Sequence, residues 1–151
     1  MKKFFCFCQF FSAYLCIVYI FPSCAATITI TGSNPNTGEL TLVDSKGNQA
    51  TVFEVDAGKC IKWKIAKGIN VSSIQDLDKK DTSINVFRKL PHKKWLSKSW
   101  KGTVEKLEIL KEKFAGKETP DGYIVEDYFI GWKANNDSTH VYDPKIQVKS
   151  R

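Results

Sequence analysis

The sequence predicts an all-β fold, a single antiparallel β-sandwich of immunoglobulin-like or cupredoxin-like type, with 104–114 as the segment where one short helix competes with a strand. Three observations carry that prediction. Apolar residues recur mostly every second position, the period of a strand with one buried face. Clusters of Gly, Asn, Asp and Pro punctuate these runs at short intervals, and long helical patterns are scarce.

Taken from the N-terminus, the chain opens with "MKKFFCFCQFFSAYLCIVYIFPSCAA", in which Lys2 and Lys3 precede an apolar run from Phe4 to Phe21, followed by small residues. That layout is expected of a secretory signal peptide over residues 1–26, and the paired lysines read as bacterial. Pro22 breaks the helix, and Ser23, Cys24, Ala25 and Ala26 offer cleavage after Ala25 or Ala26. Two alternatives stay open. The run is just long enough to remain as a membrane anchor, and "FPSC" resembles a bacterial lipobox in which Cys24 becomes the acylated first residue, although Phe21 and Pro22 match that pattern poorly.

Removing these 26 residues from 151 leaves 125, one domain over 27–151 and enough for a single core, and losing Lys2 and Lys3 lowers the formal charge from +7 to +5. Cys6, Cys8, Cys16 and Cys24 all fall in the leader, so the remainder is not a disulfide scaffold although export takes it to an oxidising compartment. Cys60 stays odd.

In the expected domain, Ile28 and Ile30 alternate with threonines, and Leu40 and Leu42 repeat the pattern after "GSNPNTGE". "DSKGNQ" reads as a hairpin turn built on Asp44 and Gly47, with Val52 to Val55 as the return strand. Ile61, Trp63 and Ile65 share the core face of the next strand, which turns Cys60, Lys62 and Lys64 the other way. Further strands are expected at Val71 to Ile74, Ile84 to Phe87, Tyr123 to Trp132 and Ile146 to Val148. "TVEKLEILKEKFAG" is preferred as a strand pairing Leu107 with Ile109. The helical alternative uses Val104, Leu107, Leu110 and Phe114, with Thr103 as cap and Gly116 as stop.

"VDAGKCIKWKI" is similar to the strand entry of cupredoxin-like and immunoglobulin-like sandwiches, where a glycine turn feeds a central strand whose Trp lies in the core. "EDYFIGW" and "HVYDPKIQV" resemble the last two strands of small exported bacterial sandwiches. The resemblance implies a fold and not an activity. Blue copper needs two His and one Cys in a trigonal set, often with an axial Met, and in that family the Cys, second His and Met cluster late in the chain. Here Cys60 precedes His92 and His140, and no Met follows Met1, so neither copper nor another metal or cofactor is expected.

Other chemistry is sparse. Adjacent Glu126 and Asp127 point to opposite faces of a strand and cannot work as an acid and base pair. Asp76, Asp78 and Asp81 lack the sharp-turn glycine of a calcium loop, and Asn135, Asn136, Asp137 and Asp143 read as hairpin-loop residues. Cys60, between Lys59 and Lys62, is a candidate reactive thiol, since nearby positive charge favours thiolate. Were Cys24 retained, a bond between Cys24 and Cys60 would be open to it.

"PHKKWLSKSWKG" sets Trp95 and Trp100 among Lys93, Lys94, Lys98 and Lys101, a candidate ligand-binding surface for a glycan or other envelope component. The plainer reading folds both rings over the sandwich edge and leaves the lysines as solvated loop residues. Nucleic acid is not an expected partner of an exported chain, and a membrane is met only through the leader or a lipidated Cys24. The expectation is therefore an exported, non-enzymatic binding or envelope-surface module. A carbohydrate-binding module using Trp95 and Trp100 is the alternative, and a redox or metal protein centred on Cys60 ranks last.

Overall fold

A computed structural model describes residues 26–80, 84–89 and 99–150. Residues 1–25 of the expected leader, Lys93, Lys94, Trp95, Lys98, Asp81 and His92 lie outside the described residues. The strands are β1 (Ala26–Asn34), β2 (Glu39–Val43), β3 (Val52–Val55), β4 (Cys60–Ile65), β5 (Ser73–Lys79), β6 (Phe87–Lys89) and β7 (Ser99–Val104). After these come α1 (Leu107–Phe114), β8 (Tyr123–Lys133), β9 (Thr139–Tyr142) and β10 (Lys145–Lys149). They form an all-β sandwich with one short helix, built from two packed mixed sheets. The first runs β2-β1-β4-β7-β6; the second runs β3-β10-β8-β5, with β9 also paired to β8.

Period two decides which side chains enter the space between the sheets. Ile28, Ile30, Leu40, Leu42, Ile61, Trp63 and Val104 line it from the first sheet. Ile124, Tyr128, Ile130, Trp132, Ile146 and Val148 meet them from the second. Two buried donors tie the layers together where apolar contact alone would leave them unsatisfied. The Trp63 indole N–H donates to the Tyr128 hydroxyl at 3.3 Å. The Trp132 indole N–H donates to the Gly38 carbonyl at 2.9 Å, in the turn between β1 and β2.

Four element expectations are corrected. Residues preferred as a strand arm form α1, because Leu110 and Phe114 are the pair buried together and their four-residue spacing places them on one helical face. Its N-cap is Lys106, without a side-chain cap, while Thr103 belongs to β7; Gly116, at φ 76°, ends it in the left-handed region. Glu108 in the first turn and Lys111 and Lys113 in the last complement the helix dipole.

The stretch after "DSKGNQ" begins as a hairpin, with Val43 opposite Gln49 and the Ala50 N–H bonded to the Leu42 carbonyl at 2.9 Å. It does not return along β2. Ala50 is buried, and β3 crosses to the second sheet, where it lies parallel to β10. The strand expected at Val71 to Ile74 sits further along as β5, with an irregularity between Ile74 and Asp76, and the strand expected at Ile84 to Phe87 starts only at Phe87, as β6. Asn135, Asn136 and Asp137 lie in the turn between β8 and β9, and Asp143 between β9 and β10, as loop residues.

Candidate functional site

Strand β4 is central in the first sheet, and its alternation is as the sequence predicts: Ile61 and Trp63 are fully buried, whereas Lys62 and Lys64 turn outward. Its neighbours continue that outer face in register. Thr27 lies opposite Lys62, and Lys62 opposite Lys101; Thr29 lies opposite Lys64, and Lys64 opposite Ser99. At the sheet edge Lys89 pairs with Thr103, which in turn faces Cys60. One face therefore presents Lys62, Lys64, Lys89 and Lys101, set among threonine hydroxyls.

Directly opposed side chains in a sheet have Cβ atoms about 4.5–5.5 Å apart, and like charges so placed are destabilising. Lys62 and Lys101 are such a pair. None of the four lysines joins an ion pair among the described residues. The second sheet differs. There Lys80 pairs with Asp143 at 2.6 Å, Lys133 with Asp137 at 2.7 Å and Lys145 with Asp127 at 3.3 Å, while exposed Lys149 on β10 joins no ion pair among the described residues. The Asp143 contact raises the pKa of Lys80 above the ordinary lysine value.

Of the residues singled out in "PHKKWLSKSWKG", the described ones part company. Lys101 is exposed on the cationic face. Trp100 is not in a loop: it belongs to β7, and its partly buried ring turns inward to stack on Trp63, with centroids 6.5 Å apart and planes 5° from parallel. Trp100 thereby joins a cluster with Phe87 and Tyr128 around Trp63. A stacking platform made jointly with Trp95 does not suit that inward orientation.

Cys60 is half of a disulfide, so it carries no free thiol in this state; the expectation of a reactive thiolate is corrected. Lys62, which was to favour ionisation, instead lies beside a sulfur already bonded. Its partner lies outside the described residues, where all four other cysteines stand.

The carboxylates divide as strand geometry requires. Glu126 is buried and accepts the Val86 N–H at 2.6 Å, while Asp127 on the opposite face meets Lys145. The environment of Glu126 is that of a structural acceptor joining β8 to the segment that precedes β6. Asp76 and Asp78 lie in β5. The His140 ring lies tilted against Trp132 with centroids 4.5 Å apart, and its Nε2 is 2.7 Å from the Ser138 hydroxyl.

An open groove of about 300 Å³ is lined by Ala26, Asp44, Phe53, Glu54, Asp56 and Lys59. Two of its carboxylates are engaged locally: Glu54 accepts the Tyr123 hydroxyl at 3.1 Å, and Asp44 accepts N–H groups of Lys46 and Asn48 at 2.7 and 2.8 Å.

The sequence signal for the cationic face was the alternation of Cys60, Lys62 and Lys64. What it lacked was the partner strand, because Lys101 stands 39 positions after Lys62 and only their register makes them neighbours. No protein-family model matches this chain, and no curated protein matches it either.

Proposed function

We propose that this chain is an exported, non-enzymatic β-sandwich that serves as a binding module of the bacterial cell envelope, holding an anionic glycan on the outer face of its first sheet. The reading is supported by one observation above the others, the opposition of Lys62 and Lys101 with Lys64 and Lys89 on the same face and no compensating ion pair among the described residues. Such an arrangement costs stability in the free protein and is relieved by an anionic partner. Lysine ammonium groups meet sulfate, phosphate or carboxylate as mobile point charges, and the neighbouring Thr27 and Thr29 add hydroxyls suited to sugar oxygens. Export rests on the leader expected from the sequence, and what the fold contributes to the reading is an all-β sandwich.

The test is binding of the exported protein to heparin as a polyanionic glycan probe, with neutral dextran as control, at low and high salt. Binding to heparin alone, weakened by salt and by at least about tenfold in Lys62→Glu with Lys101→Glu, which corresponds to roughly 1.4 kcal/mol, is expected. Equal binding by the wild type and the charge-reversed protein overturns the reading.

A further inference from the structure

Strand β3 ends the second sheet: β10 lies on one side of it, and among the described residues no strand lies on the other. The ladder with β10 is parallel, with Val52 opposite Lys145 and Glu54 opposite Gln147, and the Lys145 N–H donates to the Thr51 carbonyl at 2.8 Å. In such a ladder alternate residues of a strand do the bonding. Thr51, Phe53 and Val55 therefore turn their main-chain groups to β10, and Val52 and Glu54 turn theirs to the free side. Those N–H and C=O groups are a template for another extended chain. The strand carries none of the devices that commonly blunt an edge: no lysine, no proline and no irregularity of register.

The open groove of about 300 Å³ runs along this free side, lined by Phe53 and Glu54 of β3, Asp56 beyond its end, Asp44 from the turn before it, and Ala26 of the first sheet. Asp44, Glu54 and Asp56 stand there against one lining cation, Lys59, and none of the four joins an ion pair among the described residues. Strand alternation sorts what an added strand would meet. Phe53 and Val55 lie on the inner side, partly and fully buried, while Glu54 and the 49 % exposed Val52 lie on the outer side. Apolar side chains suit the inner positions and a cation suits the place beside Glu54, since opposite charges across paired strands stabilise them. The Tyr123 hydroxyl, donating to Glu54 at 3.1 Å, steadies that carboxylate. A second copy of the chain fits less well, because pairing β3 with itself about a two-fold axis sets the same acidic patch against its own copy.

We infer that the free edge of β3 binds an extended, lysine- or arginine-bearing segment of a partner protein, which adds a strand to the second sheet. Main-chain hydrogen bonds to Val52 and Glu54 hold the segment, the groove takes its apolar side chains, and Glu54 and Asp56 select its cations. This edge belongs to the other sheet from the lysine face, and neither site depends on the other.

The probe is a blocked peptide of about eight residues alternating valine and lysine, with a valine and glutamate peptide as control. Each is titrated into the exported protein and followed by amide NMR and hydrogen exchange. The expected finding is saturable binding of the lysine peptide alone, weakened by salt, with new protection of the Val52 and Glu54 amides. The Phe53 and Val55 amides, bonded to β10, should be protected with or without peptide. Val52→Pro removes a free-side N–H without breaking a bond to β10, and should weaken binding about tenfold. Glu54→Gln with Asp56→Asn should weaken it about threefold or more, and this double variant carries the test if the proline variant does not fold. Heparin binding should be unchanged in both. Equal binding of the two peptides, no binding of either, or shifts that leave Val52 and Glu54 untouched overturns the inference. So does protection of these two amides in the free monomer, which means the edge is already covered, or a dimer that Val52→Pro dissociates, which makes a second copy the occupant.

Discussion

Trp63 and Trp100 face each other across β4 and β7 with ring planes 5° from parallel, and the Trp63 N–H crosses the core to the Tyr128 hydroxyl at 3.3 Å. Trp63 thus holds its own sheet through stacking and the opposite sheet through a hydrogen bond. Trp100, only partly buried, contributes to the first of these alone, and its own indole N–H is buried without a partner.

Trp63→Ala should therefore destabilise by roughly 3–5 kcal/mol, the usual loss for a large buried aromatic. Trp100→Ala should cost less, about 1–3 kcal/mol, since it gives up less buried area and an unsatisfied donor. Lys64→Ala, on the outer face of the same strand, should stay within about 0.5 kcal/mol. Denaturant unfolding of the three variants checks the order, and equal losses in Trp63→Ala and Lys64→Ala would contradict the facing of β4.

Tyr128→Phe should cost roughly 1–3 kcal/mol, because the Trp63 N–H is left buried and unpaired. Burial pushes the Tyr128 hydroxyl far above the ordinary tyrosine value. The sign follows from linkage: with the folded-state pKa raised, the contribution is complete below the unfolded value near 10 and is lost as pH rises beyond it. The wild type should lose stability above about pH 10 more steeply than Tyr128→Phe, as measured by denaturant midpoints.

Asp44 accepts hydrogen bonds from the Asn48 side chain and backbone and from the Lys46 backbone, which lowers its carboxyl below the usual 3.8. Here the folded-state pKa is depressed, so the turn's contribution is complete above the unfolded value and is lost as pH falls through the folded one. Asp44→Asn should remove that acid sensitivity. NMR titration of the Asn48 amide beside thermal unfolding near pH 3 provides the check.

Lys62→Glu should bind heparin more weakly while raising stability by a few tenths to about 1 kcal/mol, since it replaces a like-charged cross-strand pair with an opposite one. Opposite movement of binding and stability is the signature of a face kept for a ligand. A variant that loses both would indicate a packing role for Lys62.

Reduction, or Cys60→Ser, should lower the unfolding free energy by about 2–5 kcal/mol, as is usual for removal of a native disulfide from a small exported domain. Unfolding followed with and without a dithiol reductant measures it. Identical midpoints would show that the bond adds nothing to the folded state.

By itself the sequence determined the alternation within strands. The core positions of Ile28, Ile30, Leu40, Leu42, Ile61 and Trp63 were legible because strand geometry turns successive side chains to opposite faces whatever the neighbouring strand is. So were most of β8 and β10. Tertiary structure decided everything that depends on which strand lies beside which. Leu107 to Phe114 fits both periods, and it became a helix because burial of Leu110 with Phe114 selected one of them. Val52 to Val55 reads as a return strand from local turn chemistry, yet the buried Ala50 carries the chain to the other sheet and to β10. Lys62 meets Lys101, and Trp63 meets Trp100, only through the β4–β7 register. Periodicity describes one strand at a time; the cationic face, the aromatic stack and the oxidised Cys60 are relations between distant segments, and these exist only after the sheets have formed.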